Sequence, residues 1–282
     1  MDRRIVVVFL VARWLGKGDA AANSRRCGGG MRRGLILALF CRALLLECGS
    51  AGANELADTV VKVKPSIVGI GTYQHTRTPP AVFRGTGFVV TDGLHVLTNA
   101  HVLPEAVDQA KFESLAVFAA DGKGQNARQA AVVAVDQDHD TALLRIGGTP
   151  LPALRFGDGG KVREGEEYAF TGFPIGVVLG LYPVTHRGIV SAISPIAIPQ
   201  LNARSLDPKM VHRLTTPYEI FQLDATAYPG NSGSPLYSIK TGEVVGILNK
   251  VFVQESKENL LERPSGISYA IPIKYAIDLI PK

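Results

Sequence analysis

From Ser66 onward the chain is a succession of short apolar or alternating runs set between turn residues, and nothing else in the sequence limits the fold as much. Runs of this kind read as strands. They cover Ser66–Tyr73, Gly85–Val90, His95–Thr98, Leu115–Ala120, Ala130–Val135 and Thr141–Ile146. Six more follow at Glu167–Phe170, His186–Ala192, Ile220–Asp224, Pro235–Ser238, Val244–Phe252 and Ile267–Ile271. Turn residues separate many of them: Thr91-Asp92-Gly93, Asp121-Gly122, Gly157-Asp158-Gly159-Gly160 and Thr241-Gly242. About a dozen strands in ~215 residues predict an all-β fold of two packed antiparallel barrels. Two short helices bracket them. Asn54–Val63 has helical spacing and stops near Pro65, and Ile273–Ile280 reads as a closing amphipathic helix. No repeat with a period of about 20–50 residues is visible.

The first 53 residues read differently. Met31-Arg32-Arg33 precedes a 13-residue run, Gly34–Leu46, that is apolar except for Cys41 and Arg42, and Ala51-Gly52-Ala53 follows. A charged start, a short apolar run and a small-x-small site predict a secretory signal over residues 31–53, cleaved near Ala53. The run falls short of the ~20 apolar residues a membrane helix needs. Met31 is then the expected start, with residues 1–30 an upstream extension. The apolar stretch Ile5–Leu15 leaves a longer signal or an uncleaved anchor open, and is the only route to a membrane that the sequence offers. Residues 54–282 are expected to form one domain, with barrels over roughly 64–160 and 161–272.

Charge and cysteine content narrow the function of that domain. The chain carries a formal net charge of +5. Nine of its 30 Lys and Arg and three of its 25 Asp and Glu lie in residues 1–53, leaving 21 and 22, a net of −1, for residues 54–282. The body therefore has no excess of basic residues with which to hold nucleic acid. All three cysteines (Cys27, Cys41, Cys48) also lie in the first 53 residues. The body has no disulfide, no thiolate nucleophile and no cysteine-based metal site, and no cofactor or metal is expected.

Three segments carry chemistry together: Leu97-Thr98-Asn99-Ala100-His101-Val102, Asp136–Ile146, and Asp224–Leu236 with Gly230-Asn231-Ser232-Gly233 at its centre. A serine hydroxyl needs a base to become a nucleophile, and backbone N–H groups beside it to hold a developing oxyanion. The Gly-Asn-Ser-Gly tetrad suits both needs. Gly230 permits an unusual turn, which is expected to gather an oxyanion hole from Gly230, Asn231 and Ser232. His101 follows a predicted strand and is the candidate base. Asp140 opens the apolar run Thr141–Ile146, where it can be desolvated and aimed at an imidazole N–H; Asp136 and Asp138 are rivals further out in the same polar turn. Each segment alone also reads as an ordinary turn. Together they give the order His, Asp, Ser over 131 positions, which is the chymotrypsin order and not that of subtilisins or α/β-hydrolases.

The chain resembles the protease domain of the HtrA family of serine proteases. The resemblance rests on Gly85-Thr86-Gly87-Phe88-Val89-Val90, Thr98–Val102, Asp140–Leu144, Thr171–Gly176, Arg187–Ala192, Gly230–Pro235 and Gly266–Pro272, and covers about residues 55–280. It implies a chymotrypsin-like double β-barrel with the site between the barrels. It further implies a serine endopeptidase that cuts unfolded or damaged proteins in the bacterial periplasm or outside the cell, assembled as a homotrimer. It places Thr226, six residues before Ser232, at the base of the primary specificity pocket, and Ile247-Leu248-Asn249 along its wall. Thr226 is not an acid, so cleavage is expected after small or medium aliphatic residues, not after Lys or Arg. Asn231 stands where an Asp would be needed for activation by a new N-terminus, so propeptide activation is not expected.

The chain also departs from the pattern. It carries no recognisable PDZ domain, its 196–219 segment is long, and Tyr228-Pro229 precede Gly230. The runner-up is a non-catalytic, peptide-binding or chaperone-like relative. An esterase using the same residues would hydrolyse small esters and spare proteins.

Overall fold

Val, Ile, Leu, Phe and Tyr stand at the positions where a strand turns toward a core, and Gly, Asp and Thr where it must reverse. The computed structural model describes residues 55–120, 125–174, 182–196, 217–249 and 267–281. The predicted leader, most of the 196–219 segment and Lys250–Phe252 lie outside the described residues. Helix α1 (Glu55–Val63) leads into six strands: β1 (Ile67–Tyr73), β2 (Ala81–Val90), β3 (His95–Thr98), β4 (Ser114–Ala120), β5 (Gln125–Asp136) and β6 (Thr141–Ile146). Six more follow: β7 (Glu167–Gly172), β8 (Val184–Pro195), β9 (Glu219–Asp224), β10 (Pro235–Ser238), β11 (Val244–Leu248) and β12 (Ile267–Pro272). A single helical turn, α2 (Lys274–Ile277), follows β12.

Each set of six closes into an antiparallel barrel. The first runs β1-β2-β3-β6-β5-β4, and the second, read from β7, runs β7-β8-β9-β12-β11-β10. The two orders are the same, strand for strand. Closure leaves no open sheet edge within either barrel. The interior of the first is filled by Val68, Ile70, Val89, Val96, Val117 and Leu144, and that of the second by Phe170, Val190, Phe221, Leu223, Leu236 and Leu248. A third cluster takes residues from both: Phe88, Leu97 and Leu143 meet Phe173, Tyr237, Val244 and Ile247. The barrels therefore share an apolar seam of buried side chains. Chain pairing reinforces it: the Gly157 N–H donates to the Val244 carbonyl at 2.8 Å, and the Val244 N–H donates to that of Arg155 at 2.9 Å.

The all-β class and both helices agree with the sequence reading, while several elements differ in extent: β2 begins at Ala81, β8 spans Val184–Pro195 and β11 ends at Leu248. β5 begins at Gln125, earlier than Ala130, because pairing with β4 (Ala116 opposite Gln129 through Ala120 opposite Gln125) holds a polar stretch that has no strand periodicity of its own. The closing helix is one turn, not Ile273–Ile280. Beyond Ile277 the chain tightens to bonds three residues apart, from the N–H of Leu279 to the Ala276 carbonyl and of Ile280 to that of Ile277, and Pro281 follows.

Candidate active site

His101 sits on a 3-10 turn, Ala100–Val102, directly after β3. Ala100 and Val102 are buried, which turns the histidine between them outward and leaves a third of its side chain exposed. From β2, Arg84 braces the turn: its Nε donates to the Val102 carbonyl at 2.8 Å, and Nη2 to that of Leu103 at 3.2 Å.

Asp140 closes the turn between β5 and β6. Asp136 builds that turn, its Oδ1 accepting the N–H groups of Asp138 (2.9 Å) and His139 (3.1 Å). The Asp136 Oδ2 goes to His139 Nδ1 at 2.6 Å, so this rival carboxylate serves the turn itself. Asp140 has φ +50°, a left-handed conformation that few non-glycine residues adopt. The conformation leaves every acceptor on Asp140 occupied. Its Oδ2 lies 2.6 Å from His101 Nδ1 and also accepts Asn249 Nδ2 at 2.8 Å. Its Oδ1 accepts the His101 backbone N–H at 2.9 Å. Its main-chain carbonyl takes the Ala100 N–H (3.1 Å) and Asn99 Nδ2 (3.0 Å). Burial pushes the Asp140 carboxyl up, but these bonds, led by that from His101, outweigh it and hold the group below the ordinary carboxylate value.

Ser232 lies in the loop between β9 and β10. Gly230 (φ +98°) and Gly233 (φ +87°) shape that loop. At Gly233 the requirement is double, because a Cβ there would also run into the Thr86 carbonyl oxygen. Thr86, on β2, anchors the loop to the first barrel: its N–H donates to the Ser232 carbonyl at 2.8 Å and its hydroxyl to the Gly230 carbonyl at 2.6 Å. The Ser232 hydroxyl donates to the backbone carbonyl of Asn249 at 3.1 Å. Among the described residues, neither the Gly230 nor the Ser232 N–H donates to a backbone carbonyl. Asn231 differs from expectation here: its N–H is committed to the Tyr228 carbonyl at 3.0 Å and its side chain is wholly buried.

The structure thus brings His101, Asp140 and Ser232 into one neighbourhood from both barrels. Thr226 is half-buried in the same loop as Ser232. Ile247 and Leu248 do not offer side chains to a pocket wall. Both are fully buried, in the shared seam and in the second barrel respectively, as the apolar strand β11 demands. What that strand brings to the site is Asn249, whose carbonyl meets Ser232 and whose amide meets Asp140. The second of these contacts was not legible in the sequence; an amide one residue beyond an apolar strand is its only trace. Among the described residues no cluster of three or more His, Cys, Asp or Glu could hold a metal ion, and no helix is long and apolar enough to cross a membrane.

Two six-stranded barrels wound in this order make the chain a chymotrypsin-like double β-barrel. The sequence profile described as Trypsin-like peptidase domain matches residues 85–247. The chain belongs to that trypsin-like peptidase family. Within it, the chain is similar to HtrA-type proteins. It is 34% identical over 195 residues to a Pseudomonas putida protein described as a probable periplasmic serine endoprotease, DegP-like, covering 69% of this chain and 34% of the relative. It is 31% identical over 227 residues to serine protease HTRA1A of Danio rerio, covering 78% and 39%. Among solved structures, the HtrA-type protease AlgW with a decapeptide superposes with a TM-score of 0.58 at 24% identity, covering 79% of this chain and 66% of that one. The chain spans about a third of the length of the curated relatives it matches.

Proposed function

We propose that the chain is a serine endopeptidase in which Ser232 is the nucleophile, His101 its base and Asp140 the group that orients the base. The observation that supports this best is a convergence: the Asp140 carboxylate holds His101 at 2.6 Å, and Asn249, whose amide also bonds that carboxylate, receives the Ser232 hydroxyl at its backbone carbonyl. In this reading a turn of the Ser232 side chain away from the Asn249 carbonyl brings its proton to His101 Nε2. Ser232 Oγ then attacks the scissile carbonyl while His101 takes the proton. The oxyanion is received by the Gly230 and Ser232 N–H groups. His101 returns the proton to the leaving amine, and water, activated by the same imidazole, hydrolyses the acyl ester. Asp140 stays ionised throughout and stabilises the imidazolium.

Substrates are proposed to be unfolded or flexible proteins, cut after small or medium aliphatic residues, since Thr226 puts no carboxylate at the pocket base. The proposed location is the periplasm or the cell exterior, after cleavage of the leader near Ala53, in keeping with the periplasmic description of the Pseudomonas relative. Assembly as a homotrimer is part of the same proposal, and light scattering of the purified chain tests it.

The test is casein cleavage by the wild type and by Ser232→Ala, with labelling by a fluorophosphonate probe alongside. Loss of the nucleophile is expected to lower kcat by about a million-fold, as in other triads. A second reading, a peptide-binding relative without turnover, draws on one observation: the single Ser232 hydroxyl proton is given to Asn249, not to His101. Labelling of the wild type and not of Ser232→Ala supports the protease. A wild type that neither cuts nor labels overturns it in favour of the binding module.

A further inference from the structure

Asp140 is approached from the second barrel by more than Asn249. The residue just before it, His139, leaves the first barrel and lies flat on the Tyr275 ring, with centroids 4.3 Å apart and planes 12° from parallel. Tyr218 closes the side, its ring 4.7 Å from that of His139 and 5.3 Å from that of Tyr275. Tyr218 stands just before β9 and Tyr275 in α2, so both belong to the second barrel's end of the chain. Lys274 fixes α2 to the start of β9 through Glu219 at 2.9 Å, and the Glu219 N–H donates to the Tyr275 hydroxyl at 3.3 Å. Asp136 fixes the His139 ring in its own turn.

Tyr218 and Tyr275 share an apolar cluster with Ile220, Ile271 and Tyr269. From this cluster the Tyr269 hydroxyl donates to Asn249 Oδ1 at 3.2 Å, and Asn249 Nδ2 donates onward to the Asp140 carboxylate at 2.8 Å. One aromatic cluster therefore reaches Asp140 twice: at its backbone through His139, and at its carboxylate through Asn249. The left-handed backbone of Asp140 carries a conformational cost, and the surrounding contacts are what hold it there.

We infer that Tyr218, Tyr269 and Tyr275 form a positioning element for the triad aspartate, with His139 and Asn249 as its two arms. None of these five side chains takes part in proton transfer; they set where the Asp140 carboxylate stands relative to His101. The inference rests on the triad reading proposed above. It predicts an effect on turnover that ordinary packing would not produce.

The test compares the full-length wild type with His139→Ala, His139→Phe and Tyr269→Phe. Three quantities are read: kcat and KM on a flexible substrate, Tm, and the low-field proton resonance of the His101 imidazole N–H held by Asp140. Aromatic contacts of this kind predict that His139→Ala lowers kcat about five- to tenfold at unchanged KM and displaces the resonance. His139→Phe keeps the stack and is expected to return kcat to within about twofold of wild type. Tyr269→Phe keeps the ring and removes only the hydroxyl, so it is expected to displace the resonance and lower kcat about threefold, with Tm lowered by no more than about 4 °C. If His139→Ala fails to fold, Tyr269→Phe carries the test. Wild-type resonance and kcat in both variants overturn the inference, as does a loss in His139→Ala that His139→Phe does not restore. The resonance needs no turnover, so a wild type that fails to cleave sinks the protease reading while leaving the positioning of Asp140 measurable.

Discussion

Asn249 touches the candidate site at two points with two different parts of itself. Its backbone carbonyl faces Ser232 and survives any substitution; its amide faces Asp140 and does not. Asn249→Leu is therefore expected to spare the loop around Ser232 and strip one donor from a largely buried carboxylate. A hydrogen bond to a charged group contributes ~1.5–3 kcal/mol, so kcat/KM on a fluorogenic peptide is expected to fall by roughly ten- to a hundredfold. An unchanged kcat/KM would remove Asn249 from the account. Gly233 tests the geometry in another way. With φ +87° and the Thr86 carbonyl where a Cβ would stand, Gly233→Ala is expected to cost more than about 3 kcal/mol in urea denaturation. The candidate residues His101, Asp140 and Ser232 stand out in the sequence because each is flanked by a characteristic local pattern. The Asn249 amide and the His139 ring do not, because their partners lie 109 residues away at Asp140 and more than a hundred away at Tyr275.

Elements were more legible than contacts. Each expected run has a strand in the structure, because a short apolar run between turn residues has few other places to go; β1, β3, β6 and β11 are buried along nearly their whole length. What the sequence missed are stretches ordered by a neighbour: Gln125–Gln129 pair with β4, and the first residues of β8 pair with β7. The connections show the same dependence. The loop after β1 is tied to the start of β4 by Arg77 and Glu113, 2.7 Å apart. Bonds from Thr72, the Asp108 N–H and Arg77 lower the Glu113 carboxyl from its ordinary 4.5 to about 2. A carboxyl depressed in the folded state binds its proton more readily when unfolded. Its stabilisation is therefore complete above pH 4.5 and is lost as the pH falls toward 2. The Tm of Glu113→Gln is expected to lie below that of wild type at neutral pH and to converge with it across that window. A gap independent of pH would contradict this origin.

At the scale of the molecule, residues 54–282 contain no cysteine, so the seam is held by packing and hydrogen bonds alone. A reductant is expected to leave the melting of the barrels unchanged, and calorimetry with and without one checks it. The two barrels share a strand order although no repeat is visible in the sequence. Barrel closure asks only for alternation and turns, which many unrelated sequences satisfy, so the repetition lives in the winding. That winding has a consequence for where the chain is free to change. His101 and Ser232 both lie on the link from the third to the fourth strand of their barrels, after β3 and after β9. Asp140 and Asn249 both lie on the link from the fifth to the sixth, after β5 and after β11. Each barrel thus commits the same two links to the site. The other three links of each barrel carry none of these residues, so sequence change there is expected to leave the geometry of the candidate site as it is.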